Sequence, residues 1–489
     1  MTLLPDQPQE IIDSVLKWLA PKDVHALCLV DKSFCAVAQP WLYSKIEWEW
    51  GKKVPPVGIL LRALLEKPAL GDHVQSVILI STDLGYYSFP ASPAKPVFNP
   101  GFDDAGVENL VAFVKSRELP RRYANAWIRG LRSTRSTAKM DAYIACLLAM
   151  LPNLQYLELE PGFAYRSKLS SRMFRAALSV FPRQNRPKLP HFEHLRDVAH
   201  LRRIHSTPDG KPKRANLLTP FFYLPQVQRV SACIDNTPYW RWPEHKPALE
   251  TLTTLNIAFV HAKHLGTILS QTRNLQALRW DWRGWPYIRS DHGHCISLDE
   301  IMAALQHVQK TLIELEISGS CGYASSRRCL VRLTGSLQGL TTFRKLKTLE
   351  MPLAFLAGLA ASPSPTHIDE MLPTTVEHVA LTDDFSKEHD WRGQQQLEVF
   401  SLWMENVKTA TPRLQRFEWV MMMRETVTEW RKNPGFEAYL LTACGKAGVE
   451  VEVVLRFEGY EINRLCWDEE VRGKEPVPER TRGSVLRFV

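Results

Sequence analysis

Residues 312–317 read Leu-Ile-Glu-Leu-Glu-Ile, and residues 346–351 read Leu-Lys-Thr-Leu-Glu-Met. Both contain three apolar residues, separated first by two variable residues and then by one. This phrase occurs nine times, with copies beginning at Val74, Leu154, Val227, Leu252, Leu275, Leu312, Leu346, Val376 and Leu414. From Val227 onward, successive copies begin 25, 23, 37, 34, 30 and 38 residues apart. The alternation of apolar and variable positions predicts a short, half-buried strand in each copy.

A unit of this size cannot cover its own apolar side chains, so neighbouring units must stack and share one interior. Amphipathic segments between the phrases predict helices over residues 139–151, 262–271, 298–310 and 397–408. The pattern therefore predicts an irregular α/β solenoid with a parallel sheet. The phrase resembles a leucine-rich repeat, although the usual Asn after the strand is missing and the repeat length varies. A general α/β domain with similar strands is the alternative.

Residues 7–43 predict three short amphipathic helices. The first carries Ile11, Ile12, Val15, Leu16 and Leu19 on one face, with Pro8 at its first position. The second follows Pro21 with Asp23 as its N-cap, and the third begins at a capping Ser33. A segment of about 40 residues rarely hides its apolar surface alone. It therefore either docks on the remaining chain or offers an apolar face to a partner.

The order and spacing of this segment resemble the F-box family. Its pattern is matched by Pro8, Glu10, Ile11, Val15, Leu16, Leu19, Pro21, Asp23, Val24, Leu29, Val30, Lys32 and Phe34. Gln7 departs from it, since the family has Leu there, although Leu3 and Leu4 lie close by. The resemblance implies docking on the Skp adaptor of a cullin–RING ubiquitin ligase. It assigns the small helical core and the adaptor contact jointly to Pro8, Ile11, Leu16, Leu19, Val24, Leu27, Val30 and Phe34.

The variable positions of the recurring strand are expected to line one concave face. Acidic residues outnumber basic ones there, so a basic segment of a protein substrate is one hypothesis for what this face binds. An exposed face kept in solution by its charges is an equal alternative. The candidate substrate face comprises Tyr156, Glu158, Arg279, Asp281, Glu314, Glu316, Glu350 and Glu418.

The composition limits the class and compartment of the protein. The chain has 489 residues, of which 45% are hydrophobic, enough for a large core. The nine cysteines are dispersed and form no Cys-x-x-Cys pair, and no apolar run reaches the roughly 18 residues of a membrane span. We therefore expect an intracellular protein, cytoplasmic or nuclear, without membrane association.

The net charge of +9 permits contact with nucleic acid, but the basic residues are scattered. They form no zinc-finger spacing, RNP-like motif or basic helical stripe. Nucleic-acid binding is therefore not expected, and a solvated surface is the favoured interpretation.

Motifs for catalysis or cofactor binding are missing from the sequence. It contains no Gly-x-Ser-x-Gly elbow, phosphate-binding loop or dinucleotide-binding glycine pattern. The best candidate for a metal site is the cluster Asp291, His292, His294 and Cys295. No second pair of potential ligands lies near it in the sequence. We expect no catalytic residues, metal or cofactor.

These observations predict an α+β protein with three parts. Residues 1–50 form a helical F-box-like domain, residues 51–470 an irregular leucine-rich-repeat-like substrate-binding domain, and residues 471–489 a polar, partly ordered tail. The implied function is a non-catalytic adaptor that tethers an unidentified protein substrate to a Skp–cullin–F-box ubiquitin ligase. The alternative is a repeat scaffold for protein–protein interaction, with the N-terminal helices as a cap and no ligase role.

Overall fold

The computed structural model describes residues 7–50, 56–81, 101–134, 136–160, 163, 167–178, 187–200, 218–234, 240, 242, 245–258, 260–284, 294–321, 331–359, 367–385, 393–421, 434–456 and 485–486. The chain divides into two compact units. Unit 1 comprises residues 1–203 and 216–228, and unit 2 comprises residues 204–215 and 229–489.

Unit 1 contains four parallel strands in the order of the chain. They are β1 (Lys45–Trp50), β2 (Ser76–Ser81), β3 (Tyr156–Leu159) and β4 (Asp197–His200). Its helices are α1 (Gln9–Leu16), α2 (Pro21–Cys28), α3 (Lys32–Ser44), α4 (Val57–Glu66), α5 (Asp104–Ser116), α6 (Arg121–Leu131), α7 (Ser136–Leu148) and α8 (Lys168–Leu178). Short 3-10 helices span Pro68–His73 and Thr219–Tyr223.

Unit 2 contains a larger parallel sheet of the same kind. Its strands, in spatial order, are β5 (Arg229–Cys233), β6 (Thr254–Ala258), β7 (Ala277–Gly284), β9 (Glu314–Cys321), β11 (Thr348–Pro352), β12 (His378–Thr382), β13 (Arg416–Met421) and β14 (Glu450–Leu455). β15 (Val485–Leu486) pairs antiparallel with β14, and a separate parallel pair joins β8 (His294–Ser297) to β10 (Val331–Thr334).

The helices of unit 2 connect successive strands. They are α9 (Ala262–Leu269), α10 (Leu298–Leu305), α11 (Leu353–Ala357), α12 (Gly393–Ala410) and α13 (Pro434–Ala447). Short 3-10 helices also lie in the connections between strands, at Gln306–Val308, Gln338–Thr342 and Ile368–Glu370.

The recurring phrase explains the interior of the solenoid. The first apolar residue of the phrase precedes the strand and is buried. Leu252 and Leu312 are two examples. The second and third apolar residues occupy fixed rows of the sheet, because the strands pair in register. One such row reads Val230, Leu255, Leu278, Leu315, Leu349, Val379 and Phe417, and every member is buried. The phrase is therefore the repeating unit of the core.

All nine predicted strands are present, and the four predicted helices are α7, α9, α10 and α12. Six of the described strands were missed: β1, β4 and β14, the pair β8 and β10, and β15. The second and third positions of the phrase are Ile46 and Trp48 in β1, but its first position falls in α3. In β4 the third position is His200, and before β14 the first position is Gly448. β4 and β14 thus each lack one apolar residue of the phrase, whereas β1 has Tyr43 at the first position, inside α3.

The N-terminal helices differ from prediction at their ends. α1 stops at Leu16, so Leu19 lies outside it. Ala20, not Asp23, is the N-cap of α2, because Pro21 takes the first helical position. Asp31, not Ser33, caps α3: its carboxylate accepts hydrogen bonds from the backbone N–H groups of Ser33 and Phe34. The boundaries near residues 50 and 470 stay predictions.

Within the described ranges, no helix is long and apolar enough to cross a membrane.

Candidate protein-binding site

α1 presents one face to the interior and another to solvent. Ile12 and Leu16 are buried, whereas Ile11 and Val15 are 50% and 39% exposed. Trp18 follows in the turn after the helix and is 84% exposed. Ile11 and Val15 are spaced i, i+4, which places them along one side of α1, and Trp18 N–H donates to the Val15 carbonyl at 3.1 Å in the turn that follows. The apolar set of α1 is therefore wider than its own core requires.

A second exposed apolar pair follows α2. Leu29 and Val30 are 73% and 61% exposed. A tight turn holds them there, with Leu29 N–H donating to the Ala26 carbonyl and Val30 N–H to the Leu27 carbonyl, each at 3.1 Å. Asp31 then starts α3, and its carboxylate lies 2.7 Å from the Ser33 nitrogen. The backbone on both sides of the pair is fixed, so the two side chains cannot turn inward without breaking these bonds.

The bundle itself is well anchored. Its buried apolar residues are Ile12, Leu16, Val24 and Ala38. Trp41 Nε1 donates to Asp13 Oδ1 at 3.2 Å, which links α3 to α1. The end of α3 also joins the first repeat, because Gln75 N–H donates to the Ser44 carbonyl at 2.8 Å. The exposed apolar residues are therefore carried on an ordered support.

We call Ile11, Val15, Trp18, Leu29 and Val30 the N-terminal apolar face. Eight large apolar side chains of the described residues are exposed, and five of them form this face. Scattered exposed apolar residues need no explanation, but a concentration of five within 20 residues of sequence makes this segment a candidate interaction surface. Burying one aliphatic side chain of this size contributes about 1.5–3 kcal/mol, so the face can support binding of a protein.

The predicted adaptor residues fall into three groups. Leu16 and Val24 lie in the core of the bundle, and Leu19, Leu27 and Phe34 are half-buried. Pro8, Ile11 and Val30 are exposed. Three residues of the face, Val15, Trp18 and Leu29, were absent from the predicted adaptor set. Trp18 carries the signal that was overlooked, since it continues the i, i+4, i+7 spacing of Ile11 and Val15.

The predicted substrate residues lie on the opposite side of the strands from the core rows. In unit 2 one register row contains Ser231, Asn256, Arg279, Glu316, Glu350, Ala380, Glu418 and Glu452. Parallel strands lie about 4.8 Å apart, so neighbouring carboxylates in this row repel unless cations separate them.

Arginines supply these cations in unit 2. Arg279 Nε lies 3.0 Å from Glu316 Oε2, and Arg416 Nη2 lies 2.8 Å from Glu418 Oε1. Arg416 also pairs with Glu452, and Arg456 pairs with Glu350. His378 Nε2 is 3.2 Å from Glu418 Oε1. The carboxylates of this row are thus held by cations of the same chain.

The pKa of Glu418 reflects this arrangement. Burial alone would raise it, but the neighbouring His378 and the charges of Arg416 and Arg456 outweigh burial. The pKa of the Glu418 carboxyl is therefore held below its usual value, and the side chain is ionised around neutral pH.

The exposure expected of the substrate face was wrong at four positions. Glu350 and Glu418 are buried beneath their arginine partners in unit 2. Tyr156 and Glu158 are buried in unit 1, where the Tyr156 hydroxyl donates a hydrogen bond to Glu158 Oε2 at 2.7 Å. Arg279, Asp281 and Glu316 are half-buried, and Glu314 is exposed. Their role in binding a substrate stays a prediction.

One Ser–His contact has the atoms of a nucleophile and a base. Ser167 Oγ lies 3.0 Å from His200 Nε2 in unit 1. Both residues are buried, and the Phe221 ring lies 5.8 Å from the His200 ring. Because both side chains are buried, we interpret this contact as part of the core of unit 1. Of the metal-like cluster, His294 and Cys295 lie in β8, whereas Asp291 and His292 lie outside the described residues. In the described part of the chain, no group of three potential ligands could hold a metal ion.

Comparison with protein families gives one match. The model of a leucine-rich repeat domain matches residues 45–460, from the first residue of β1 to just beyond β14. The match leaves α1, α2 and α3 outside the repeat domain. A search of the curated proteins found no match.

Proposed function

Because the chain belongs to the leucine-rich repeat domain family over most of its length, we propose that it is an adaptor that brings a protein substrate to a ubiquitin ligase. The coarser part of this function is a non-catalytic scaffold for protein–protein interaction, which is typical of the family. The finer part assigns the N-terminal helices to the Skp adaptor of a cullin–RING ligase. The mechanism is tethering, which raises the effective concentration of the substrate near the ligase. This proposed function requires the protein to act inside the cell.

The N-terminal apolar face carries this proposal. A scaffold that bound one partner through its repeats alone would not need five exposed apolar side chains on the helices before them. Trp18 is the natural anchor, because tryptophan is enriched among the residues that dominate protein interfaces. The resemblance of residues 7–43 to the F-box family supplies the identity of the partner, and the exposed face supplies the surface for it.

The test is capture of a purified Skp adaptor by the full chain and by single variants. Trp18→Ala should weaken binding at least about 25-fold, the equivalent of about 2 kcal/mol. Val30→Glu should abolish capture, because a charge would enter an apolar interface. Both positions are exposed, so neither change should disturb folding.

Ile59→Glu is the matched control. Ile59 is 72% exposed in α4, within the repeat domain, and offers the same kind of change outside the three helices. This variant should bind the Skp adaptor as the wild type does. Equal loss in all three variants would mean that capture follows general hydrophobicity, and the ligase role would be wrong.

A second candidate function keeps the helices as a cap on the repeat array. The contact of α3 with the 3-10 helix Pro68–His73 and the Gln75–Ser44 hydrogen bond favour it, because they tie the helices to the first repeat. The cap function predicts that the wild-type chain does not retain the Skp adaptor at all. It also predicts that replacing Leu16 or Val24, which lie in the core, destabilises unit 1 more than replacing Trp18.

The proposed substrate residues lie on the polar side of their strands, with Tyr156 and Glu158 in unit 1 and Arg279, Asp281, Glu314, Glu316, Glu350 and Glu418 in unit 2. Glu314 is exposed, and Asp281 and Glu316 are half-buried, although Glu316 already pairs with Arg279. A basic segment would meet Glu314 first.

A further inference from the structure

Contrary to the sequence-based expectation, one helix carries a basic stripe. Five exposed polar residues lie on α6 or at its C-cap, Arg132. The other four are Arg121, Arg122, Asn125 and Arg129. With 3.6 residues per turn, these five positions fall within about 100° of the helix circumference. Trp127, Gly130 and Leu131 occupy the opposite side and are buried. We call the four arginines the α6 stripe.

The stripe rests on a firmly packed helix. Trp127 Nε1 donates to the Ala142 carbonyl of α7 at 2.9 Å within the interior. α6 also contacts α5 and α8. Arg122 lies over the Tyr123 ring, 4.8 Å from its centroid, which limits the freedom of this guanidinium. A charged group that is already ordered loses less entropy when it binds.

The charge of the stripe is only partly compensated. Arg132 pairs with Glu108 of α5, with Nη2 lying 2.7 Å from Oε1 and 2.9 Å from Oε2. Arg129 Nε donates to the Asn125 carbonyl of its own helix. Among the described residues, no carboxylate pairs with Arg121, Arg122 or Arg129, and α6 itself contains no acidic residue. Three guanidinium groups therefore remain available to an anion.

We propose that the α6 stripe binds an acidic segment of a partner protein. Arginine suits this ligand, because its planar guanidinium pairs with a carboxylate through two parallel hydrogen bonds. The stripe runs about 16 Å along the helix, since each residue rises 1.5 Å. Along the helix axis, Arg122 and Arg129 lie about 10.5 Å apart and Arg129 and Arg132 about 4.5 Å apart, so the carboxylates of the segment would need spacings of about two turns and one turn of a helix.

The setting of α6 favours a protein partner over duplex DNA. A helix that reads DNA enters a major groove about 12 Å wide, with much of its circumference free. α6 is packed against α5, α7 and α8 and exposes only the arc of the stripe. It can touch phosphates from outside but cannot enter a groove. An acidic segment can lie along the whole stripe.

The test uses the full chain and a fluorescent polyglutamate peptide at low salt, with fluorescence anisotropy as the readout. The wild-type chain should bind the peptide. The double variant Arg121→Glu with Arg129→Glu should weaken binding at least about tenfold, because two attractive charges become repulsive. Raising the ionic strength to about 1 M should remove binding, since the screening length falls to about 3 Å.

Lys310→Glu with Arg344→Glu is the matched control. Both residues are exposed in unit 2, and the double change alters the net charge by the same amount. This variant should bind the peptide as the wild type does. Equal weakening of both double variants would overturn the proposal. Absence of peptide binding by the wild-type chain would overturn it as well. Tighter, stripe-dependent binding of duplex DNA would also overturn it and assign the stripe to nucleic acid. Binding of the Skp adaptor should be unchanged in all of these variants.

Discussion

Trp18 and Leu16 are two positions apart, yet one is 84% exposed and the other is buried. The pattern of apolar residues in this segment predicts helices and one apolar side for each. It does not say how much of that side the bundle can cover, because coverage depends on how α1, α2 and α3 cross. The list of predicted adaptor residues therefore mixed core residues such as Leu16 and Val24 with exposed ones such as Val30.

Asp141 is a second residue whose role depends on tertiary structure. It lies in α7, but its carboxylate accepts hydrogen bonds from the backbone N–H groups of Leu169 and Ser170 in the first turn of α8. The Ser170 hydroxyl donates to it as well, at 2.9 Å. Burial raises the pKa of Asp141 to about 6, although these hydrogen bonds and the charge of Arg172 oppose the rise. Asp141 is thus an N-cap supplied from another helix.

The raised pKa predicts how the stability of unit 1 depends on pH. The folded chain holds the Asp141 proton more tightly than the unfolded chain, whose pKa is near 3.8. The contribution of Asp141 is therefore greatest below about pH 4 and falls as the pH rises to about 6. In Asp141→Asn this loss should disappear. Relative to the wild type, the variant should gain up to about 3 kcal/mol between those two pH values.

Pulse proteolysis in urea measures this difference if peptides of unit 1 are followed by mass spectrometry. Asp141→Ala serves as the comparison, because it removes the hydrogen-bond acceptor together with the charge. It should be less stable than Asp141→Asn at every pH, by about 1–2 kcal/mol. A constant difference between wild type and Asp141→Asn across the window would contradict the assignment.

The strands show how far the sequence determines elements. The nine strands predicted from the apolar phrase are all present. β4 and β14 form without a complete phrase, because their neighbours in the sheet supply backbone partners and the rest of the core. His200 takes an apolar position in β4 by pairing with Ser167. Such a substitution is visible only when the contacting residue from another element is known.

The turn after β12 packs on β9 through a glycine. The Phe385 ring is buried between Trp282 and Phe355, with both ring centroids 5.7 Å away. A Cβ at Gly319 would lie 2.5 Å from Phe385 Cζ. Asp384 Oδ2 also accepts a hydrogen bond from Gly319 N–H at 3.2 Å, which fixes the approach of the two backbones.

Gly319→Ala should therefore destabilise unit 2 by about 1–3 kcal/mol, because the ring cannot move aside between its aromatic neighbours. Gly266→Ala is the matched control. Gly266 lies inside α9, and an added Cβ would meet only Ala304, at 3.6 Å. This change should stabilise unit 2 by up to about 1 kcal/mol, since alanine is the better helix former. Urea unfolding followed on peptides of unit 2 tests both changes, and a shift in the same direction for both would contradict this packing.

The chain combines a repeat scaffold with an N-terminal helical segment outside it. The repeat phrase indicated the scaffold from sequence, and the family match over residues 45–460 agrees with it. The α6 stripe was not foreseen, because its four arginines form one side only when residues 121–132 are helical and the opposite side is buried. Surfaces of this kind depend on the arrangement of helices around the sheet, which the strand phrase does not specify.

If the N-terminal apolar face binds a protein while the repeats serve as a scaffold, the Skp adaptor should protect only the N-terminal helices from hydrogen exchange. In the full chain with the adaptor, we expect slower exchange in peptides from residues 9–34, which contain Trp18, Leu29 and Val30, and unchanged exchange in β5 to β14. Unchanged exchange in residues 9–34 at saturating adaptor, or protection confined to the repeat strands, would contradict binding by this face.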